Sequence, residues 1–260
     1  MVKIGILGCM GRMGQALTAA VGRTPSLSLL IGSERAGHPL IGKTSALHSL
    51  PITDQTDVVF SAADLVIDFT PPGNTALHAH LAASNGTKLL VGTTGLSGTD
   101  QAALDTAAKK IAVMQAGNYS VGVNVLASLV REAAARLDQD WDAEILEMHH
   151  RGKIDAPSGT ALMLGDAVAD GRGSSLSVLR TPMREGVTGE RKPGSVGFAS
   201  LRGGSVVGEH STIFASGSET ITLSHRAENR DLFADGAVRA ACWLAERETG
   251  RYSMQDVLGL

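Results

Sequence analysis

His149, His150 and Lys153 lie within five residues of one another and run into Pro157-Ser158-Gly159-Thr160, so two imidazoles, an ammonium and a helix start share the segment HHRGKIDAPSGTA, 149 to 161. Imidazole gains and loses a proton near neutral pH, whereas lysine keeps its charge. Pro-Ser-Gly-Thr ahead of the apolar stretch Ala161 to Val168 predicts a helix N-terminus, with Pro157 and Ser158 near the cap and the amides of Gly159 and Thr160 unpaired. Such an end attracts carboxylates and phosphates. The segment therefore reads as a holder for a compact polyanion, with His150 and Lys153 as side-chain donors and His149 left for proton transfer. The competing reading is a polar surface loop before an ordinary helix.

A second pattern opens the chain. Lys3 to Leu7 is a short apolar strand, Gly8-Cys9-Met10-Gly11-Arg12-Met13-Gly14 a glycine turn, and Gln15 to Val21 a helix, which is the order a dinucleotide site requires. Gly8 permits the tight turn, Gly11 lets backbone approach a pyrophosphate, and Gly14 lets helix pack on strand. The spacing is G-x-x-G-x-x-G rather than the commoner G-x-G-x-x-G, so a plain βα turn competes. A second strand, Ser28 to Ile31, leads to Ser33-Glu34-Arg35, about twenty residues beyond the glycines, where an acidic side chain would meet a ribose 2′-hydroxyl. Arg35 beside it would instead suit a 2′-phosphate.

Composition narrows the classes. A chain of 260 residues with 43% hydrophobic residues can bury one large core or two modest ones. A net charge of −3 provides no field to gather nucleic acid or an anionic membrane, and 3% aromatic residues offer few stacking platforms. Two cysteines, Cys9 and Cys242, suggest neither a disulfide framework nor a cysteine metal site and fit a reducing cytoplasm. The N-terminal apolar run stops at Gly8 and no stretch of about 18 apolar residues follows, so neither a secretion signal nor a membrane span is expected.

The elements that must position these residues change character halfway. Leu65 to Thr70, Lys88 to Val91 and Ile111 to Met114 are strands, separated by helices at Thr75 to Ser84 and Asp100 to Lys110. This alternation predicts a parallel, doubly wound sheet with ligand at the strand carboxyl ends, which carry Gly92-Thr93-Thr94 and Gly117-Asn118-Tyr119-Ser120. After Asn124, a helix from Val125 to Leu137 and a strand from Ala143 to Met148 precede His149. Strands at Leu176 to Leu179, Gly197 to Leu201, Val206 to Phe214 and Glu219 to His225 then predict an α+β module, the last with Ile221 and Leu223 inward. Thr181 to Ser195 reads as a long polar loop, a solvated excursion in preference to a lid. Leu232 to Arg247 reads as a final helix closed by Gly250.

Taken with Gly208-Glu209-His210, Ser224-His225-Arg226-Ala227 and Asn118 to Asn124, these motifs resemble, nearly end to end, the dihydrodipicolinate reductases, also called 4-hydroxy-tetrahydrodipicolinate reductases, of bacterial lysine and diaminopimelate biosynthesis. HHRGKIDAPSGTA is the specific part. The resemblance implies an N-terminal Rossmann-like domain over residues 1–121, a smaller α+β substrate and oligomerisation domain over 122–227, and a C-terminal helix over 228–260 that returns to the first. It implies NADH and NADPH as cofactors, held by Gly8, Cys9, Met10, Gly11, Arg12, Met13, Glu34, Arg35, Gly92, Thr93, Thr94 and the stretch Ala116, Gly117, Asn118 and Tyr119. It implies His149 as proton donor, Lys153 as its catalytic neighbour, His150, Gly159 and Thr160 as contacts for a small dicarboxylate, no metal, and a homotetramer. Gly117 and Tyr119 depart from the family, which usually has Pro or Ala and Phe there.

Two readings from other classes compete. A regulator that binds NAD(P) without catalysis would not need the HHRGK constellation. A metallohydrolase built on His149, His150 and His210 or His225 would need chelating geometry, yet adjacent strand residues point to opposite faces. A related two-domain dehydrogenase acting on another amino-acid precursor is the nearer alternative.

Overall fold

The computed structural model describes residues 1–45 and 50–260, which form two compact units: Met1–Val121 with Asp231–Gly259, and Gly122–Arg230. In the first unit, β1 (Val2–Leu7), α1 (Arg12–Gly22), β2 (Leu27–Ser33), β3 (Thr44–Ser45), β4 (Leu50–Thr53), α2 (Thr56–Ala62), β5 (Leu65–Asp68), α3 (Thr75–Asn85), β6 (Lys88–Val91), α4 (Gly98–Ala107) and β7 (Ala112–Gln115) follow in order. The second unit contributes α5 (Val121–Arg136), whose first residue belongs to the first unit, then β8 (Asp142–His149), α6 (Gly159–Gly171), α7 (Leu176–Leu179), β9 (Val196–Arg202), β10 (Glu209–Ala215) and β11 (Thr220–Arg226). The chain then re-enters the first unit with α8 (Asp231–Ala245), β12 (Gly250–Tyr252) and α9 (Met254–Leu258).

The first sheet runs β12-β7-β6-β5-β1-β2-β4-β3, parallel throughout except the two-residue edge β3. Both faces are covered, which is why its strands are continuous apolar runs rather than alternating ones. Ile4, Ile6, Ile67 and Leu90 pack with Leu17 of α1 and Ala237 and Ala241 of α8, whereas Leu7, Val66, Leu89 and Val91 pack with Val59, Phe60, Ala79 and Leu104 from α2, α3 and α4. Strand order reverses between β1 and β5, so their carboxyl ends flank the crevice where open α/β sheets take ligands.

The second sheet is mixed, in the order β11-β10-β8-β9, with β8 and β9 parallel and the other pairs antiparallel. Ala143 and Ile145 of β8 pack under Leu126, Val130 and Ala134 of α5 and Leu164 and Val168 of α6. Alternation along β8 turns Leu146 and Met148 to the opposite face, where Leu146 and Leu201 of β9 remain exposed.

Three expectations are corrected. Leu176–Leu179 is one helical turn, not a strand; Leu176 packs beside Gly165 of α6, and a four-residue apolar run has no period of its own to distinguish the two. Ile221 is exposed because β11 is an edge strand, although Leu223 on it joins the core. Gly250 does not close the final helix, which ends at Ala245; it begins β12, which pairs with β7. The loop Thr181 to Ser195 is tethered: Arg191 donates to Glu144 (3.0 Å) and Asp142 (2.8 Å), and Arg184 pairs with Glu144.

Candidate active site

In the first unit the glycine turn is built as a close strand-to-helix connection. Gly8 has φ of 64°, in the left-handed region, and a Cβ on Gly14 would lie 2.2 Å from the Gly8 carbonyl oxygen, so alanine at 14 would separate helix from strand. The Gly11 amide donates to Gly8 O (3.0 Å), Cys9 N to Ser33 O (3.1 Å) and Met10 N to Glu34 Oε1 (2.8 Å). Three amides of the turn are thereby committed within the fold. The first-turn amides of α1, including those of Arg12 and Met13, have no intrahelical acceptor, and neither a side-chain cap nor an acidic residue opposes an anion there. Cys9 faces inward, and burial, followed by the Glu34 charge, raises its thiol pKa to about 11. Glu34 is half-buried and oriented by Met10, while Arg35 is exposed.

The carboxyl ends of β5, β6 and β7 are knitted together. Asp68 is fully buried and takes His78 Nδ1 at 2.7 Å on one oxygen and Thr70 N (2.9 Å) and Oγ1 (2.6 Å) on the other. Thr93 Oγ1 donates to Thr70 O (2.9 Å), and Gly92 N to Asp68 O (2.8 Å). Ala116 N and the Tyr119 hydroxyl both donate to Val91 O, at 3.2 and 2.8 Å. The two departures from the family fit locally. A Cβ on Gly117 would meet nothing within 4 Å, and the added hydroxyl of Tyr119 is buried with an acceptor while its ring packs at 5.2 Å from Phe69.

In the second unit Ser158 caps α6, its hydroxyl accepting from Ala161 N at 3.2 Å, so the predicted helix start is present with Gly159 exposed at its tip. His149 ends β8, nearly buried, with Nδ1 at 2.5 Å from Glu147 Oε2. Sequence reasoning did not single out Glu147, yet the signal was there: Ala143, Ile145, Glu147 and His149 share one strand face at period two. Arg202 of β9 grips the same carboxylate with both terminal nitrogens, Nη1 to Oε2 at 2.8 Å and Nη2 to Oε1 at 2.9 Å, and Ser158 N donates to Oε1 at 3.2 Å. Burial pushes the Glu147 pKa up, but the hydrogen bonds from Arg202, Ser200 and His149 prevail and bring it down to about 2. The His149 pKa is lowered, by burial first and by the Lys153 and Arg202 charges, against the opposing pull of Glu147.

His210 of β10 stands edge-on to His149 with ring centroids 5.0 Å apart, bonds through Nε2 to Ser158 Oγ (3.0 Å), and is held down to about 4, mainly by burial and then by the His149 charge. Lys153 pairs with Asp155 at 2.7 Å and its charge reaches His149. His150 does not join His149; its Nε2 bonds to Arg230 at 3.0 Å. No group of three or more His, Cys, Asp or Glu among the described residues is placed to hold a metal ion.

A doubly wound unit with a glycine turn, and a separate unit that buries a histidine on a clamped carboxylate beside a capped helix start, have the layout of a two-unit Rossmann-type oxidoreductase. Sequence models described as dihydrodipicolinate reductase, N-terminus, and dihydrodipicolinate reductase, C-terminus, match residues 2–119 and 122–258. The chain belongs to the dihydrodipicolinate reductase family. It is 49% identical over 262 residues to 4-hydroxy-tetrahydrodipicolinate reductase 1 of Mesorhizobium japonicum, covering 98% of this chain and 96% of that one. Its identity to the 4-hydroxy-tetrahydrodipicolinate reductase of Caulobacter vibrioides is 48%, covering 99% and 97%. Among solved structures, a dipicolinate-bound dihydrodipicolinate reductase from Paenisporosarcina sp. TG-14 shares the fold, with a TM-score of 0.81 at 22% identity over 98% of each chain.

Proposed function

We propose that this chain reduces 4-hydroxy-tetrahydrodipicolinate to tetrahydrodipicolinate with NADH or NADPH, in lysine and diaminopimelate biosynthesis. The observation that carries the reading is the Glu147–His149 pair beside the Ser158-capped helix start, in a chain of this family. In it, residues 1–121 with 228–260 form the dinucleotide unit and 122–227 the substrate and oligomerisation unit.

The glycine turn fits a dinucleotide: Gly8, Gly11 and Gly14 place no side chain at the three positions where backbone packs closely, and the first turn of α1 at Arg12 and Met13 suits a pyrophosphate. The stretch Gly92, Thr93 and Thr94 with Ala116 to Tyr119 would hold the nicotinamide end. A reduced nicotinamide bound there supplies the hydride. His149 provides the proton that completes the reduction. Lys153, His150 and the helix start at Gly159 and Thr160 hold the two substrate carboxylates, with Lys153 exchanging Asp155 for a ligand carboxylate. Glu34, oriented by Met10, suits a ribose 2′-hydroxyl, and the exposed Arg35 beside it suits a 2′-phosphate, which supports use of both nucleotides. The apolar face carrying Leu146 and Leu201 supports assembly of copies into a homotetramer, and the two free thiols agree with a cytoplasmic setting.

The test is binding of a product-like dicarboxylate. Calorimetry of pyridine-2,6-dicarboxylate with reduced nucleotide present should show tight binding to the native chain and, for Lys153→Ala, a loss of about thirty-fold to a few thousand-fold, the size expected for truncating one side of a charge pair (about 2 to 5 kcal/mol). Nucleotide affinity should be nearly unchanged. Equal dicarboxylate affinity in both proteins would remove Lys153 as the anchor.

A further inference from the structure

We infer that Glu147 is the positioning residue of the site: clamped by Arg202, it fixes the His149 ring so that Nδ1 is anchored and Nε2 exchanges the proton. The inference rests on His149 being the proton donor in the proposed reduction. Its first support is geometric. Glu147 is buried to 1% exposure, and each carboxylate oxygen receives a guanidinium nitrogen of Arg202, with the Ser158 amide, His149 Nδ1 and Ser200 also bonded to it. A carboxylate so charged only accepts hydrogen bonds, so the hydrogen in the 2.5 Å contact belongs to His149 Nδ1. The second support lies on the other side of the ring. A Cβ added to Gly208 would fall 3.1 Å from His149 Nε2, so any side chain at position 208 would crowd this nitrogen.

The surrounding charges explain why a fixed anion is needed. His149 faces Glu147 on its own strand, Arg202 from β9, His210 from β10 and Lys153 from the following segment. Glu147 is the one acid among these groups. Arg202 and Lys153 both oppose a proton on His149, and an unpaired imidazole there would be free to turn or to adopt the other tautomer.

Nitrogen-15 NMR of His149 in the full-length protein, together with steady-state kinetics of three variants, tests this. In the native protein, neutral His149 should carry its proton on Nδ1; a proton on Nε2 overturns the inference without any variant. Glu147→Leu removes the acceptor and should mix the tautomers and lower kcat by about a hundredfold, with KM little changed. Glu147→Gln keeps an acceptor but loses the charge. It should restore the Nδ1 tautomer and most of kcat, with the high-pH limb of the kcat profile moved to lower pH because the imidazolium loses its counter-ion. Gly208→Ala should lower kcat by about tenfold with the tautomer unchanged. A native-like tautomer and pH profile in both Glu147 variants would overturn the positioning role. Anchored Nδ1 in a protein that does not turn over the substrate would instead uphold the geometry and reject the proposed reduction.

Discussion

Asp68 with His78 in the first unit and Glu147 with His149 in the second are both buried histidine–carboxylate pairs bonded through Nδ1, at 2.7 and 2.5 Å. They differ in what else the carboxylate holds. Asp68 gives its second oxygen to Thr70, whose carbonyl receives Thr93, so the pair braces the loops after β5 and β6, with the His78 ring packed 6.0 Å from Phe60. Glu147 instead has a guanidinium of its own on both oxygens, and the Nε2 side of its histidine lies against Gly208, which has no side chain to crowd it. The pair alone does not make a catalytic group. In the proposed reaction, the separate counter-ion on the acid is what distinguishes the proton donor from the brace.

The comparison is most easily broken by exchanging each histidine for glutamine. His149→Gln should lower turnover by roughly two to four orders of magnitude with little change in KM, as expected for a lost general acid. His78→Gln should leave kcat within a few-fold and show itself as a lower melting temperature. Comparable losses of turnover in both would erase the distinction.

Acid sharpens it next. The folded-state pKa of His210, near 4, lies below its ordinary 6.5, so the unfolded chain takes up a proton first and stability present above pH 6.5 is lost as pH falls toward 4. The loss is about 3 kcal/mol. Glu147, near 2 against an ordinary 4.5, removes a further share between those two values. Trp141 lies in the second unit and Trp243 in the first, so single-tryptophan variants report each separately, and the Trp141 signal should change first on acidification. A Trp243 transition at higher pH would contradict this.

The smallest effect concerns the other end of the chemistry. Arg35→Ala should weaken NADPH by several-fold more than NADH, the scale of an exposed charge contact, read as the ratio of the two dissociation constants. An unchanged ratio would show that Arg35 does not sense the 2′ position.

Much of this is legible in the sequence. Strand, glycine turn and helix from Lys3 to Val21, the alternation through Met114, and the capped start at Ser158 all follow from local period and chemistry that the fold leaves intact. What was not legible depends on distant partners. Arg202 lies 55 residues from Glu147, and nothing in its neighbourhood marks it as a clamp. His78 sits ten residues from Asp68 in a helix whose other histidine, His80, is exposed, so only packing tells them apart. β12 is three residues long and exists because β7 offers an edge, and Ile221 alternates like a core residue but lies on an edge strand. Lys153 reads in sequence as a donor awaiting a ligand, and nothing in the pattern marks its pairing with Asp155, although the two lie only two residues apart.

Turnover itself tests the central claim most directly. Oxidation of NADH and of NADPH is followed by absorbance, with 4-hydroxy-tetrahydrodipicolinate generated in situ, for the native chain and His149→Gln side by side. The account predicts nucleotide oxidation by the native chain only when that substrate is supplied, and a His149→Gln protein that binds nucleotide normally but turns over at a hundredth of the native rate or less. A folded, nucleotide-binding native chain that leaves the substrate unreduced, or a His149→Gln protein that matches it, would contradict the account.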